Sequence, residues 1–278
     1  MKICWTFLLF GLVACGGNKR ERSNLAVRIL RNGDQLFAQR ADIEELDRAI
    51  QWYLSGVREF PDDAKMMGRL ARAYTLRAYG HPSDGLDGYA TAKEFGIRCL
   101  MTETGFAGLV QSAGGEVTRR SISTLEADRI GCMTWTSIAW GRWLDERGVV
   151  GASIDLVAVQ AMAQRAVDVM PQYGGGRPYE ALGLALALPP EPLKPDLGGA
   201  RKAFLSASKL SPDRLTVAVD LAQYVSAPEG NEAEWRALLT SVVGTELEAG
   251  DPNRLENLAA IQRAQALLEA GPNSRWDE

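Results

Sequence analysis

A spacing anchored on prolines restricts this chain more than any other feature. Ala200, Phe204 and Ala207 recur at intervals of four and three, which puts them on one helix face, and Pro212 follows where that helix must stop. The spacing returns as Ala49, Tyr53, Gly56 and Pro61, with Asp62 and Asp63 behind it as helix-capping residues, and as Val159, Ala163, Ala166 and Pro171, where the aromatic is lost. A second set follows each proline at a nearly constant offset. It reads Met67, Leu70, Ala71, Tyr74 after Pro61 and Ala218, Leu221, Ala222, Val225 after Pro212. After Pro171 it is Tyr179, Leu182, Gly183, Leu186, displaced by two residues that the turn Gly174-Gly175-Gly176 absorbs. Trp135, Ile138, Ala139 and Arg142 begin a further copy. Small residues in such a unit let two helices approach, and large ones fill the groove between units. A generic amphipathic bundle shares the 3.6-residue periodicity but not fixed offsets from three prolines.

The expected fold is therefore all-α, of tetratricopeptide-like stacked helix pairs in a superhelix. Alternating runs rich in Val, Ile and Thr, the mark of strands, are missing. Pro171 and Pro212 stand 41 residues apart, against about 34 for an uninterrupted repeat, and the proline-rich insert from Leu188 to Pro195 accounts for the excess. The interval from Pro61 to Pro171 accommodates helices near 86–101 and 128–145. Between them Met101 to Thr124, punctuated by Gly105, Gly108, Gly114 and Gly115, reads as an inserted loop or a broken helix.

Reactive equipment is scarce. One histidine (His81) and four scattered cysteines, Cys4, Cys15, Cys99 and Cys132, exclude the usual zinc spacings and give no nucleophile–base pair, so neither an enzyme, nor a metal, nor a cofactor is expected. A formal charge of −4 argues against nucleic acid. The triple glycine lacks the Gly-Lys-Ser/Thr ending of a phosphate loop and follows a helix. The carboxylates of Glu44, Glu45, Asp47, Asp62 and Asp63 fit caps and solvated faces. Trp135, Trp140 and Trp143 are more informative: at about 100° per residue they occupy more than one face of a helix. Either that helix is buried on two sides, or an indole faces a groove, with Arg142 nearby for an anionic or planar group. Tyr173 and Tyr179, flanking the glycine turn, are candidates for the same cavity.

At the N-terminus Lys2 precedes an apolar run from Ile3 to Val13, too short to span a bilayer and suited to a signal peptide. It ends in Leu12-Val13-Ala14-Cys15, which resembles the lipobox of bacterial lipoproteins, with Cys15 as the lipid attachment site. The expected organisation is a signal peptide over 1–14, a lipidated N-terminus and flexible tether over 15–24, and one helical domain over 25–278. By the lipoprotein sorting convention, Gly16 after the cysteine favours a periplasm-facing outer-membrane anchor over an inner-membrane one. In that oxidising compartment Cys99 and Cys132 are free small hydrophobes or a disulfide, and spacing alone does not decide between them.

The lipobox, the helix Trp135-Thr136-Ser137-Ile138-Ala139-Trp140-Gly141-Arg142-Trp143 and the segment from Ala166 through Pro171-Gln172-Tyr173-Gly174 to Gly198-Gly199-Ala200-Arg201-Lys202-Ala203-Phe204 together resemble the TRAP transporter T-component family. Arg254-Leu255-Glu256-Asn257-Leu258-Ala259 followed by Arg263-Ala264-Gln265-Ala266-Leu267-Leu268 is similar to that family's last helix. The resemblance implies a periplasm-facing lipoprotein of stacked helices that docks the solute-binding P component of a tripartite ATP-independent transport system. With the repeat scaffold, the lipid tether and the aromatic-rich central helix, the expectation is a non-enzymatic protein that also holds or passes a small, hydrophobic ligand. The resemblance also implies self-association, with a trimer conceivable. The competing expectation is a structural adaptor of an outer-membrane complex without a ligand.

Overall fold

The computed structural model describes residues 16–81, 84–148, 153–188 and 194–272. The segment read as a signal peptide, Cys15 and most of the proline-rich insert lie outside the described residues. Among the described residues there are thirteen α-helices and no strand: α1 (Gly16–Phe37), α2 (Ile43–Glu59), α3 (Ala64–Gly80), α4 (Gly85–Met101), α5 (Thr104–Ser112), α6 (Arg119–Ile122), α7 (Ile130–Arg147), α8 (Ser153–Val169), α9 (Arg177–Ala187), α10 (Leu197–Leu210), α11 (Leu215–Leu221), α12 (Glu232–Val243) and α13 (Arg254–Ala270). The fold is all-α, as expected.

The proline-anchored positions define the packing. Ala49, Tyr53, Ala163, Ala166, Ala200, Phe204 and Ala207 are fully buried, and Pro61, Pro171 and Pro212 sit in the turns that end α2, α8 and α10. Asp63 caps α3 by accepting from the Met66 N–H at 3.0 Å, and Asp196 caps α10 by accepting from the Gly199 N–H at 2.8 Å. The excursion through the insert closes where the Asp196 N–H donates to the Leu186 carbonyl at 3.0 Å. Neighbouring helices pack in chain order from α1 to α4 and from α7 to α11, while α13 returns against α3 and α11. A strictly open repeat array would confine each unit to its neighbours; here Leu255 of α13 lies against Gly80, joining late and early helices.

Two expectations are sharpened. Met101 to Thr124 is the broken helix of the two readings: α5 and α6 are separated by a turn in which Gly114 and Gly115 take φ of 70° and 95°. Cys99 and Cys132 are disulfide-bonded, with Cα atoms 6.0 Å apart. The segment read as a flexible tether is helical from Gly16 onward, continuous with α1. Lys19, Arg20, Glu21 and Arg22 are good helix formers, and their propensity carries the helix through a stretch whose polarity suggested a spacer.

The disulfide belongs to a close crossing of α4 and α7, on which Gly96 stands one turn before Cys99. A Cβ at Gly96 would lie 2.0 Å from Thr136 Oγ1 and 3.2 Å from the Thr136 Cα, and backbone cannot swing aside as a side-chain tip does. Gly96→Ala is therefore expected to lower stability by about 1–3 kcal/mol, read as a shift in urea midpoint at unchanged slope.

Candidate functional site

A cavity of about 730 Å³ opens where α1, α2 and α3 meet α7 and the turn after α8. Phe37, at the last position of α1, forms part of its wall with Trp135 of α7 and Tyr173 of the Pro171–Gly176 turn. Tyr173 reaches across because residue 131 is glycine: a Cβ there would stand 3.0 Å from the tyrosine hydroxyl. A second opening of about 360 Å³ shares Arg40, Arg72, Trp135 and Tyr173 with the first and extends toward Gly174, Gly175, Arg177 and Arg214. The shared residues place the two openings next to each other, as two parts of one groove region.

Its electrostatics run against the chain's net negative charge. Asp34 receives Arg69 Nε at 2.5 Å, Arg69 Nη2 at 2.8 Å and the Tyr53 hydroxyl at 2.7 Å. Burial works to raise the Asp34 carboxyl, but these hydrogen bonds outweigh it and hold it below the usual carboxylate range. Arg129 pairs with Asp128 at 2.7 Å and Glu103 at 3.5 Å. Arg72 is different: its guanidinium lies 4.3 Å from the Phe37 ring centre and 5.5 Å from that of Trp135, and its Nε has no hydrogen-bond partner. Burial, reinforced by the neighbouring charge of Arg40, lowers it to about 10. The buried Trp135 Nε1 is also without a partner.

The six residues singled out from sequence fall in several places. Trp135 and Tyr173 share the cavity. Trp140 and Trp143 lie on another side of α7, where Lys93 Nζ stands 5.4 Å and 3.6 Å from their ring centres. Tyr179 is half-buried against the core. Arg142 is buried, pairs with Asp220, and donates from Nη1 to the Tyr224 hydroxyl at 3.1 Å and from Nε to the Tyr79 hydroxyl at 3.2 Å. It borders a separate cavity of about 370 Å³ together with Tyr79, Tyr89 and Arg263. Cys15 lies outside the described residues.

Behind the groove stands a second buried network. Arg177 bonds Glu180 Oε2 at 3.0 Å and pairs with Glu256, and its guanidinium lies 5.1 Å from the Trp135 ring centre. Arg214 donates to the Gly174 and Gly175 carbonyls at 2.6 Å and 3.1 Å, holding the glycine turn in place. The Tyr79 hydroxyl, 3.5 Å from Glu180 and accepting from Arg142, links the two networks. Burial favours the neutral form of Glu256, but Arg177, Arg214 and Arg40 outweigh it and keep the carboxyl below its ordinary value. A carboxyl depressed in the folded state contributes stability above its unfolded value, about 4.3, and loses it as pH falls through the folded value. Unfolding free energy is thus expected to fall below about pH 4.5, and Glu256→Gln, less stable at neutral pH, is expected to lose less on acidification in urea titrations.

Arg40, Arg69 and Arg72 were not legible as site residues. Arginine is common in this chain, and only the tertiary approach of the end of α1, where Asp34 holds Arg69 and the Phe37 ring meets Arg40 and Arg72, brings these three to the cavity. Among the described residues no three His, Cys, Asp or Glu side chains stand together as a metal site would require, and no helix is long and apolar enough to cross a membrane. A family model described as TRAP transporter T-component matches residues 86–273. No curated protein matches the chain.

Proposed function

The chain belongs to the TRAP transporter T-component family, and from that premise we propose that it is the membrane-anchored auxiliary protein of a tripartite ATP-independent transport system. In this reading it docks a periplasmic solute-binding P component and holds or passes a small ligand without chemically changing it. Lipid on Cys15 fastens it to the outer membrane facing the periplasm, and its helices act as a tetratricopeptide-like scaffold. The observation that carries the ligand-holding part is the groove itself: a volume in the range of small-molecule sites, about 300–1,000 Å³, lined by Phe37, Trp135 and Tyr173 and holding buried polar atoms left unpaired. The Cys99–Cys132 disulfide fits a chain that works in an oxidising compartment.

The test is crosslinking in intact cells followed by capture of the lipid-anchored protein. Recovery of a solute-binding protein in one crosslinked species is the expected result. Its consistent absence, with the anchored protein abundant, would sink the docking reading. Mass spectrometry of the captured chain is expected to show residues 1–14 removed and acyl groups on residue 15; an intact Met1 would remove the anchor from the proposal.

A further inference from the structure

The basic side of the groove is over-supplied with charge. Arg69 is answered by Asp34, Arg129 by Asp128 and Glu103, and Arg177 and Arg214 by Glu180 and Glu256. Arg40 and Arg72 have no carboxylate within ion-pair distance among the described residues, and neither has Lys65 at the exposed rim. Arg40 and Arg72 approach the same ring, that of Phe37, at 5.0 Å and 4.3 Å from its centre. Glu256 acts on both through space, but its carboxylate is engaged by Arg177. Holding two guanidiniums without a carboxylate partner around one ring, one of them largely buried, is costly unless something else supplies the negative charge.

We propose that this groove binds a phosphomonoester with a flat apolar body, its phosphoryl group held by Arg72, Arg40 and the Trp135 indole N–H. The inference rests on the reading of the groove as a ligand site and names the ligand's class. A phosphomonoester carries about −1.5 to −2 charges near neutral pH and three acceptor oxygens, enough for two guanidiniums and an indole N–H together. A single carboxylate can bridge two guanidiniums, as Asp220 does for Arg142 and Arg263, but its one negative charge would leave the pair of arginines with a net positive charge. Arginine forks fit phosphoryl oxygens in paired hydrogen bonds, and the orphaned Trp135 Nε1 needs an acceptor that no side chain supplies. A phosphate ion alone would leave most of about 730 Å³ empty, whereas Phe37, Tyr53, Trp135 and Tyr173 offer an aromatic lining for an organic body. Arg40, Lys65 and Arg72 all precede residue 86, so the charge surplus comes from outside the family-matched span.

The experiment uses three probes that differ only in the head group, phenyl phosphate, benzoate and phenol, titrated into the mature protein by calorimetry and tryptophan fluorescence. Phenyl phosphate is expected to bind saturably and at least tenfold more tightly than the others, and added salt should weaken it. Arg72→Met should raise its dissociation constant tenfold or more, while Trp135→Phe, which keeps an aromatic ring and loses the N–H, should cost several-fold. Arg72→Met should melt no lower than the wild type, because it removes a buried charge with no partner; if it fails to fold, the half-exposed Arg40→Gln carries the same comparison. Competition by vesicles containing phosphatidic acid would assign the head group to a lipid, and its absence would assign it to a soluble ester. Equal affinity for all three probes, tighter binding of benzoate, or indifference to both arginine variants overturns the phosphoryl assignment and leaves a ligand-holding groove standing. No binding by any probe overturns it as well, and docking is then judged separately by crosslinking.

Discussion

Asp220→Ala should cost about 3–5 kcal/mol, or prevent folding altogether. Asp220 is fully buried on α11 and answers two arginines: Arg142 at one oxygen and Arg263 Nη1, at 2.8 Å, at the other. Removing the carboxylate leaves the buried Arg142 guanidinium without its ion-pair partner and facing the Tyr79 and Tyr224 hydroxyls, and hydroxyls solvate a cation without neutralising it. The loss would spread, because Arg142 joins α7 to α3 through Tyr79, and Arg263 ties α13 to α11. Urea unfolding of Asp220→Ala beside Asp220→Asn separates the contributions: the amide keeps the shape and some hydrogen bonds but loses the charge, so it should fall between wild type and alanine. Near-wild-type stability of Asp220→Ala would mean that water or a shifted side chain replaces the carboxylate. Removing both partners in Arg142→Met with Asp220→Leu is expected to cost less than Asp220→Ala alone, since a buried pair exchanged for apolar groups leaves no orphaned charge.

Phe204→Ala should cost a comparable amount, about 3–5 kcal/mol, for a different reason. Phe204 is the aromatic of the proline-anchored spacing, fully buried on α10, and its ring lies over Gly183 of α9. A Cβ at Gly183 would stand 2.7 Å from two ring carbons and 2.9 Å from a third. Truncating the ring leaves a cavity at the α9–α10 contact, and the buried Ala200, Ala203 and Ala207 beside it are too small to refill it. Gly183→Ala alone is expected to be destabilising by overpacking, about 1–3 kcal/mol. In the double variant the added methyl enters the space the ring vacated, so the combined loss should fall short of the sum of the two single losses. Simple additivity in that cycle would show that the ring does not rest on Gly183.

These two residues mark how far sequence reading reached. Phe204 was legible as a core residue because its neighbours on the helix face recur every three or four positions and a proline marks the turn. The same signal located α2 with α3, α8 with α9 and α10 with α11. Asp220 was not legible, since its importance depends on Arg142, 78 residues away. The candidate site divides along the same line. Trp135 and Tyr173 were identified because three indoles on α7 cannot share one stripe and because a glycine turn exposes its flanks. Trp140 and Trp143 instead pack around Lys93, and Arg142 is spent on an internal ion pair. Arg40 and Arg72 drew no attention, being two arginines among many on amphipathic helices.

The helix pairs around Pro61, Pro171 and Pro212, their buried faces and the poverty in reactive groups were determined by sequence alone, because periodicity, capping and composition are properties of neighbouring residues. Which arginines are neutralised, which indole meets a cavity and whether Cys99 reaches Cys132 were decided only by the tertiary structure. Charge compensation, cavity volume and sulfur–sulfur approach depend on separations in space between segments far apart in the chain, and helical spacing carries no record of them.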